Sequence, residues 1–346
     1  MVPAELFAKV EAPNAEVEQQ ARDRQLTLTK PAGSLGRLED LGVWISACQG
    51  QCPPHSINNP RIVVFAGDHG VAQHGVSAYP SEVSLQMAAN IQAGGAAINV
   101  LGRAAGASVR VVDVSLDHDV WGDERVSRSC GSIDREDAMD DDQVIRSLQI
   151  GQRVADQEVD SGVDLLIAGD LGIGNTTPAA ALIGAMTSTE PVVVVGRGTG
   201  IDDEGWKRKV TAVRDAMYRV RAIKHDSIAV LKAISSPDLA AMAGFLAQAA
   251  VRRTPVLLDG VVVTSAALMA NKLAPGARKW WVAGHKGAEP AHILALNSLH
   301  LDPLLDFGMR LGEGSGAAAA LPLVKAATDI MIDMATFESA GVSEKD

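Results

Sequence analysis

The chain has 346 residues, and its formal net charge of −11 repels the phosphate backbone of nucleic acids, which we do not expect as partners. Hydrophobic residues make up 47% of the chain, which excludes wholesale disorder. The chain contains no stretch of ~18 uncharged apolar residues, so no membrane span is expected. Cys48, Cys52 and Cys130 form no CxxC pair, which indicates reduced thiols in a cytoplasmic protein. Cys48, Cys52 and His55 fit no familiar zinc spacing, so structural thiols are favoured.

The two ends of the chain differ from its middle. Residues 1–58 predict polar helices without strand-like runs, with a break at Pro53–Pro54. Residues 301–346 are again helical and alanine-rich. We expect the two ends to pack together as one small helical domain, beside a large α/β domain formed by residues 59–300.

Six short apolar runs rich in β-branched residues predict strands in the large domain. Because their hydrophobicity is continuous rather than alternating, both faces of each strand should be covered, as in a parallel sheet. The runs are Ile62–Ala66, Val109–Val114, Asp164–Ala168, Val192–Val195, Val256–Leu258 and Trp280–Ala283. Alanine-rich segments between them predict crossover helices, for example Glu82–Leu101, Pro178–Met186 and Lys207–Ile223. This alternation indicates an α/β doubly wound fold.

The carboxyl ends of the predicted strands carry most of the glycines and isolated polar residues. The strands run into AGDHG (66–70), DVS (113–115), AGDLGIGNTT (168–177), GRGTG (196–200), LDG (258–260) and AGHKGAEP (283–290). Ligands of open parallel sheets bind at this edge, so we expect the functional site there. One glycine is enough for a strand-to-helix turn, but Gly172 and Gly174 are followed at once by Asn175, Thr176 and Thr177.

The segment GDLGIGNTTPAAAL (169–182) predicts a strand, a glycine-rich turn and a helix. Thr177 is the expected N-cap, with Pro178 at the first helical position. Such a helix start offers N–H groups and the positive end of the helix dipole, which favour an anion such as phosphate. The segment is neither a P-loop nor the dinucleotide fingerprint, whose third glycine is missing.

A second glycine-rich helix start, LGEGSGAAAALPLVKAA (311–327), carries Glu313 between glycines. With no bulky sequence neighbours, its carboxylate is open to a ligand. Two interpretations stay open from the local sequence. Glu313 could complement the positive end of the helix, or it could be a general base whose pKa is tuned by partial burial.

Other polar residues at strand ends have two interpretations each. Asp68–His69, Asp170 and His285–Lys286 could be catalytic or could be hydrogen-bonded turn residues. The chain has no G-x-S-x-G elbow, which disfavours a Ser-His-Asp hydrolase. Asp202–Glu204 could form part of a magnesium site, but a solvated helix start is favoured because no second carboxylate cluster lies nearby in sequence.

Together these segments resemble one family over almost the whole chain: nicotinate-nucleotide–dimethylbenzimidazole phosphoribosyltransferase, which serves the synthesis of the lower ligand of cobalamin. The matching blocks are KPAGSLGRLEDL (30–41), FAGDHGVAQHGVSAYPSEVS (65–84), AGGAAINVL (93–101), GDLGIGNTTPAAA (169–181), LLDG (257–260), GHKGAEPAH (284–292) and MRLGEGSGAA (309–318). Each block is modest alone, and it is their order and spacing that carry the resemblance.

The resemblance implies a mainly parallel, six-stranded, Rossmann-like sheet, a small helical domain from both chain ends, and a homodimer. It implies nicotinate mononucleotide and a benzimidazole-type base as substrates, with Glu313 as the catalytic base. Asp170 stands where the family has a second carboxylate, and its short side chain argues against direct proton transfer. Nicotinate would leave as a neutral pyridine, so neither a metal nor a cofactor is expected.

The resemblance also assigns the remaining site residues. The base pocket around Glu313 is expected to contain Tyr79, Pro80, Gln86, Met87, Leu171 and Leu311. The phosphate and ribose of the nucleotide are expected to contact Gly172, Gly174, Asn175, Thr176, Gly198, Lys209 and Gly314. Lys209 could also be a surface lysine, but a buried phosphate dianion needs a cation, which favours a binding role.

Two competing functions are possible on the same fold class. A nicotinamide-dependent oxidoreductase would need a G-x-G-x-x-G turn after the first strand, where this chain has GDHG. A non-catalytic nucleotide-binding module would bind its ligand without turnover, and it would leave Glu313 without a task.

Overall fold

Five parallel strands form the centre of the protein, whose computed structural model describes residues 6–343. Within this range the strands are β1 (Pro60–Gly67), β2 (Ser108–Ser115), β3 (Leu165–Leu171), β4 (Val256–Leu258) and β5 (Trp281–Ala283). Their order is β2-β1-β3-β4-β5, one of the two common orders of doubly wound sheets. The central strand β3 is buried along its whole length, as its continuous apolar run predicts.

Helices connect the strands and cover the sheet. They are α1 (Ala15–Thr27), α2 (Arg37–Gln49), α3 (Glu82–Gln92), α4 (Ala97–Ala105), α5 (Asp141–Asp160), α6 (Thr176–Thr187), α7 (Pro191–Val194), α8 (Asp203–Val220), α9 (Ser227–Ile234), α10 (Pro237–Val251), α11 (Val261–Leu273), α12 (Pro290–Leu299), α13 (Ser315–Asp333) and α14 (Phe337–Ala340). Two short 3₁₀ turns lie at Gly70–His74 and Ala277–Trp280. The predicted helices Pro178–Met186 and Lys207–Ile223 correspond to α6 and α8.

The core lies in two layers, one on each face of the sheet. Successive side chains of a strand point to opposite faces. Accordingly, Val63 and Phe65 of β1 belong to one buried apolar cluster, while Ile62 and Val64 belong to another. Covering both faces in this way leaves the carboxyl edge of the sheet as the natural place for a ligand site.

The prediction of a sixth strand at Val192–Val195 is wrong. Most of this run forms the short helix α7, with Pro191 at its first position, where the fixed φ of proline suits a helix start. Val192 and Val193 remain about half exposed, at 53% and 50%, instead of lying in the sheet. A β-branched composition favoured a strand, but the proline beside it sets a helical turn outside the sheet.

Two helix boundaries also differ from expectation. The segment Glu82–Leu101 is two helices rather than one, because Gly94 takes a left-handed φ of +84° and ends α3. Thr177 is not the N-cap of α6: that position is Asn175, whose side chain caps nothing in the helix. The backbone bonds from Asn175 N to Gly172 O and from Thr177 N to Gly174 O close the first turn earlier than predicted.

The two chain ends contact each other, as expected. Arg24 Nε of α1 donates to Met331 O of α13 at 2.7 Å, and Ala21, Val43 and Met331 form a small buried apolar cluster. The division into segments 1–58, 59–300 and 301–346 stays a prediction.

Helix α13 has the length and apolar composition of a membrane span. However, 56% of its most apolar window is buried inside the protein, where its alanines pack against β1 and β3. This is the environment of a core helix in a globular protein.

Candidate active site

A cavity of about 530 Å³ opens at the carboxyl edge of the sheet. Its walls come from the segments that follow β1, β3, β4 and β5, together with the loop before α13. The predicted site residues that line it are Tyr79, Met87, Asp170, Leu171, Gly172, Gly174, Asn175, Thr176, Gly198, Leu311 and Glu313. The cavity therefore joins the two glycine-rich helix starts that the sequence singled out. Pro80, Gln86, Lys209 and Gly314 lie outside its lining.

Residues 172–176, here called the glycine turn, form one wall and lead into α6. A Cβ at Gly172 would overlap Gly67 O, and Gly174 has a left-handed φ of +91°. Both positions therefore require glycine, one for space and one for conformation. The turn presents the start of α6 to the cavity, where the positive end of the helix dipole favours an anion.

Lys209 lies directly behind the glycine turn. Its side chain extends from α8, is 1% exposed, and donates from Nζ to Thr176 Oγ1 at 2.7 Å. Burial lowers the pKa of Lys209, while the nearby charge of Glu289 acts in the opposite direction. A Cβ at Gly198 would lie 3.1 Å from Lys209 Nζ, so glycine lets the chain pass close to the ammonium group. The surface-lysine interpretation is therefore wrong.

Residues 312–314, here called the glutamate loop, have three consecutive left-handed φ values of +86°, +63° and +85°. The middle value belongs to Glu313, for which this conformation costs roughly 1–3 kcal/mol. The loop is held by Asp259, a buried residue that follows β4. Its carboxylate accepts bonds from Gly314 N (3.1 Å), Gly316 N (2.8 Å) and Ala317 N (3.0 Å).

These bonds decide which residue complements the start of α13. One interpretation of Glu313 was that its carboxylate complements the positive end of α13. Asp259 has this role instead, because it accepts hydrogen bonds from the free N–H groups at the start of the helix. Glu313 itself donates from its backbone N–H to Asp170 O at 3.0 Å, and its side chain belongs to the cavity wall. Its carboxylate is therefore not engaged in capping α13.

The Glu313 carboxylate is buried, at 4% exposure, and Oε2 has no hydrogen-bond partner among the described residues. Burial raises the pKa of Glu313, the backbone of Ile98 acts against this, and the charge of Asp259 adds to the increase. A raised pKa makes a carboxylate a stronger base when it is deprotonated, which suits proton abstraction near neutral pH.

Asp170 stands at the end of β3 beside the glutamate loop. It accepts a bond from Asn175 Nδ2 at 2.8 Å, and a Cβ at Gly312 would lie 2.8 Å from its Oδ2. Burial, followed by the charge of Asp259, raises the pKa of Asp170 well above its ordinary value. Asp170 thus links the glycine turn and the glutamate loop, and it keeps its proton over a wider pH range than an exposed aspartate.

The apolar part of the cavity lies around its mouth. Tyr79 and Leu311 line the cavity and are each 56% exposed, while Met87 is partly buried and Leu171 is buried. Pro80 and Gln86 belong to the same segment but are exposed and lie outside the lining. The sequence thus identified the correct segment, although neighbouring residues on it point in different directions.

Sequence reasoning did not single out Glu289 and Arg310, which both line the cavity. Glu289 Oε1 accepts from Gly198 N at 2.8 Å, and Arg310 Nη1 donates to Gly198 O at 2.7 Å. Together they hold both backbone groups of the glycine that passes over Lys209. Their positions inside the GHKGAEP and MRLGEGSG blocks were the available signal.

The other candidate polar residues differ in whether they lie in the cavity. His285 lines the cavity, with Nε2 3.2 Å from Asp259 Oδ1, whereas Lys286 pairs with Asp306. Asp202 caps α8 by accepting from Gly205 N at 2.7 Å, so the favoured helix-start interpretation of residues 202–204 is confirmed. Across residues 6–343, no group of three or more His, Cys, Asp or Glu side chains could hold a metal ion. That the reaction needs no metal stays a prediction.

The fold and site define a class of protein: an α/β protein with an open parallel sheet and a cavity at the carboxyl edge of that sheet. A family model described as phosphoribosyltransferase matches residues 10–342. With the relatives described next, this match shows that the chain belongs to the nicotinate-nucleotide–dimethylbenzimidazole phosphoribosyltransferase family.

The chain is similar to relatives of that name along their whole length. It is 71% identical to the one from Corynebacterium efficiens, over 100% of this chain and 94% of the relative. It is 58% identical to the one from Mycobacterium marinum, over 97% and 95% of the two chains. A crystal structure of CobT from Thermus thermophilus superposes with a TM-score of 0.92 at 41% identity, over 95% of this chain and 100% of that one. Neither the oxidoreductase nor the non-catalytic interpretation finds support in these relatives.

Proposed function

We propose that the protein transfers the phosphoribosyl group of nicotinate mononucleotide to 5,6-dimethylbenzimidazole or a related base. The products are nicotinate and the α-ribazole phosphate, with inversion at C1′. The observation that carries the proposal is Glu313, whose buried carboxylate is not used to cap α13 and shares a cavity with the glycine turn. The names of the full-length relatives support the same reaction.

The chemistry asks mainly for correct placement of two rings and one phosphate. Nicotinate leaves from a positively charged ring nitrogen as a neutral pyridine, so no strongly charged leaving group has to be stabilised. The attacking nitrogen of the base reaches C1′ from the opposite face of the ribose, which turns a β-nucleotide into an α-riboside. Holding the reactants in this geometry supplies much of the rate enhancement. Neither a metal nor a cofactor takes part in the proposed reaction.

Glu313 is the proposed general base. A benzimidazole carries an N–H proton that must leave as its other nitrogen bonds to C1′. The carboxylate accepts this proton, which removes positive charge from the new nucleoside. Burial supports the role because it raises the pKa of Glu313 and thereby its basicity.

Asp170 is proposed to act by position rather than by proton transfer. Its bond from Asn175 Nδ2 and its contact with Gly312 tie the glycine turn to the glutamate loop. Because burial raises its pKa well above the ordinary value, it is expected to stay protonated beside the Glu313 carboxylate. A neutral Asp170 avoids a second negative charge next to the base.

The glycine turn is the proposed site of the 5′-phosphate. The dipole of α6 and the ammonium group of Lys209 both place positive charge behind this turn. Burial deprives the Lys209 ammonium group of water and lowers its pKa. The negative charge of a bound phosphate would stabilise the ammonium group and counteract this lowering. Gly198 lies in the cavity wall beside this turn and is proposed to allow close approach of the ribose rather than to bond it, because its N–H and C=O are bonded to Glu289 and Arg310. Gly314 lies outside the lining, and its N–H is bonded to Asp259, so a direct contact with the nucleotide is not proposed for it.

The base is proposed to bind among Tyr79, Met87, Leu171 and Leu311, with Pro80 and Gln86 at the edge of the pocket. Two of these side chains, Tyr79 and Leu311, are each 56% exposed, and Phe307 nearby in the chain is 72% exposed. A cluster of exposed apolar residues is a common mark of an interaction surface. This supports the proposal of a homodimer in which the partner covers the pocket mouth, and the protein is proposed to be cytoplasmic.

A direct assay tests the proposed function. The protein is incubated with nicotinate mononucleotide and 5,6-dimethylbenzimidazole in a buffer containing EDTA, and free nicotinate and ribazole phosphate are quantified by chromatography. Both products should appear in equal amounts, and the Glu313→Gln protein should form them far more slowly. Binding of the nucleotide without either product would instead indicate a non-catalytic module. Activity that requires added magnesium would contradict the metal-independent mechanism.

A further inference from the structure

A second group of buried polar residues lies next to the glycine turn and outside the cavity lining. Its members are Asp68 and His69 after β1, Ser115 at the end of β2, and Ser236 and Asp238 at the start of α10. Each is at most 4% exposed, and none lines the cavity. The mechanism described above uses none of them.

The centre of this group is an enclosed ion pair. His69 Nε2 lies 3.5 Å from Asp238 Oδ2, and the two side chains are 1% and 0% exposed. Burial by itself would lower the pKa of His69, but the nearby charge of Asp238, with a contribution from Cys130, raises it to about 10. The raised pKa favours the imidazolium form of His69 at neutral pH.

Asp238 is the second residue of α10 rather than its N-cap, and its surroundings differ from those of the aspartates that cap helices. Asp202 and Asp226 accept hydrogen bonds from backbone N–H groups of the helices that they begin. Neither oxygen of Asp238 accepts a hydrogen bond from the part of the chain that the structure describes. Its near neighbour is the His69 ring. Because a buried ion pair adds little stability compared with apolar residues, stability alone does not account for this pair.

His69 lies against the first residue of the glycine turn, and Asp238 lies against the last residue of β1. A Cβ at Gly172 would lie 2.8 Å from His69 Nε2, and a Cβ at Gly67 would lie 2.8 Å from Asp238 Cγ. The His69 ring thus supports the first residue of the turn from behind. Lys209 contacts the other end of the same turn through Thr176. The turn is held between two buried cationic side chains.

We propose that His69, held in place by Asp238, is a positioning residue for the nucleotide substrate. His69 fixes the position of the Gly172 backbone. It also adds a positively charged group next to the backbone segment that is proposed to bind the phosphate. A small displacement of such a turn affects nucleotide binding more than base binding, because only Leu171 of the proposed base pocket borders the turn, whereas Tyr79, Met87 and Leu311 come from other segments. This inference rests on the assignment of the glycine turn and Lys209 to the phosphate.

The test compares the Michaelis constants of the two substrates in His69→Gln and Asp238→Asn proteins. Both changes keep most of the side-chain volume but remove one charge of the pair. We expect the KM for nicotinate mononucleotide to rise about tenfold, while the KM for the base stays within about twofold. The control is His118→Gln, since His118, in the loop after β2, also pairs with an aspartate, Asp113, at 2.7 Å, and neither residue lines the cavity. This control should leave both constants unchanged.

Lys209→Met is measured in the same series to separate two kinds of failure. An increased nucleotide KM in Lys209→Met, together with unchanged constants in folded His69→Gln, would overturn the positioning role alone. Unchanged constants in both proteins would overturn the phosphate assignment and the inference with it. A parallel fall of kcat with loss of folded protein in both pair variants would show that the pair serves folding only, which also overturns the proposal.

Discussion

The two glycine-rich helix starts at the cavity look alike in sequence but have opposite electrostatic surroundings. Behind the start of α6 lies the cation Lys209, which bonds to Thr176. The start of α13 is already occupied by the anion Asp259, which accepts three backbone N–H bonds there. The start of α6 could therefore accept a phosphate, whereas the N–H groups at the start of α13 are already bonded to a carboxylate. A glycine-rich helix start therefore predicts an anion site only when the groups packed behind it are known.

The same comparison explains the different tasks of the two segments. At α6 the backbone itself faces the cavity, and glycine is needed for close approach. At α13 the bonds to Asp259 hold a strained loop in place, and that loop places Glu313 in the cavity wall. The start of α6 contributes backbone to the cavity wall, and the loop before α13 contributes the Glu313 side chain.

The largest expected effect comes from Glu313→Gln. Glutamine keeps the shape and can hydrogen-bond, but it cannot accept the proton, so kcat should fall by about 10²–10⁴ with KM values near normal. The melting temperature should be unchanged or slightly higher, because glutamine removes a carboxylate that burial disfavours in its charged form.

The pH dependence follows from the same residue. Only deprotonated Glu313 can act as the base, and its pKa is raised in the folded protein. As the pH is lowered, kcat/KM should therefore begin to fall at a higher pH than it would for an exposed glutamate. This acidic decrease of kcat/KM should be absent in Glu313→Gln. A variant with the kcat of the unmodified protein would remove Glu313 from the mechanism.

Lys209→Ala tests the other helix start. Removing the ammonium group should raise the KM for the nucleotide by about 10- to 100-fold and leave the KM for the base nearly unchanged. Steady-state kinetics with each substrate varied in turn measures both constants. Unchanged constants would contradict the assignment of Lys209 to the phosphate site.

Asp259→Asn should lower stability rather than act on the nucleotide. Asparagine can accept bonds through only one of its side-chain heteroatoms, so the start of α13 loses part of its cap, at a cost of about 1–2 kcal/mol. We expect a lower melting temperature and a moderate loss of kcat, because the glutamate loop is less firmly held. Thermal unfolding and kcat are measured on one preparation. Normal stability would show that Asp259 is dispensable as a cap.

The smallest effect is expected from Asp170→Asn. If Asp170 is protonated and acts by position, asparagine replaces it with similar shape and hydrogen bonding, and kcat should fall by no more than about tenfold. The comparison with Glu313→Gln is decisive. Equal losses in the two variants would assign Asp170 a chemical role and contradict the positional one.

Local sequence determined much of the fold and of the site. Continuous apolar runs predicted the five parallel strands, since a strand buried on both faces has no polar side to display. Glycines at strand ends marked the carboxyl edge, because close approach and left-handed φ values are properties of the residue itself. The order of the motifs also identified the family. The Val192–Val195 run failed because a proline beside it set the local backbone conformation.

Tertiary structure decided what surrounds each of these segments. That Asp259 caps α13, that Lys209 is buried behind Thr176, and that His69 pairs with Asp238 all depend on residues far apart in the chain. Burial and the sign of nearby charges set the pKa of each group, and both arise only when distant segments pack together. The sequence could therefore name Glu313 as a candidate base, whereas only the folded protein shows that its carboxylate is left unused by the helix beside it.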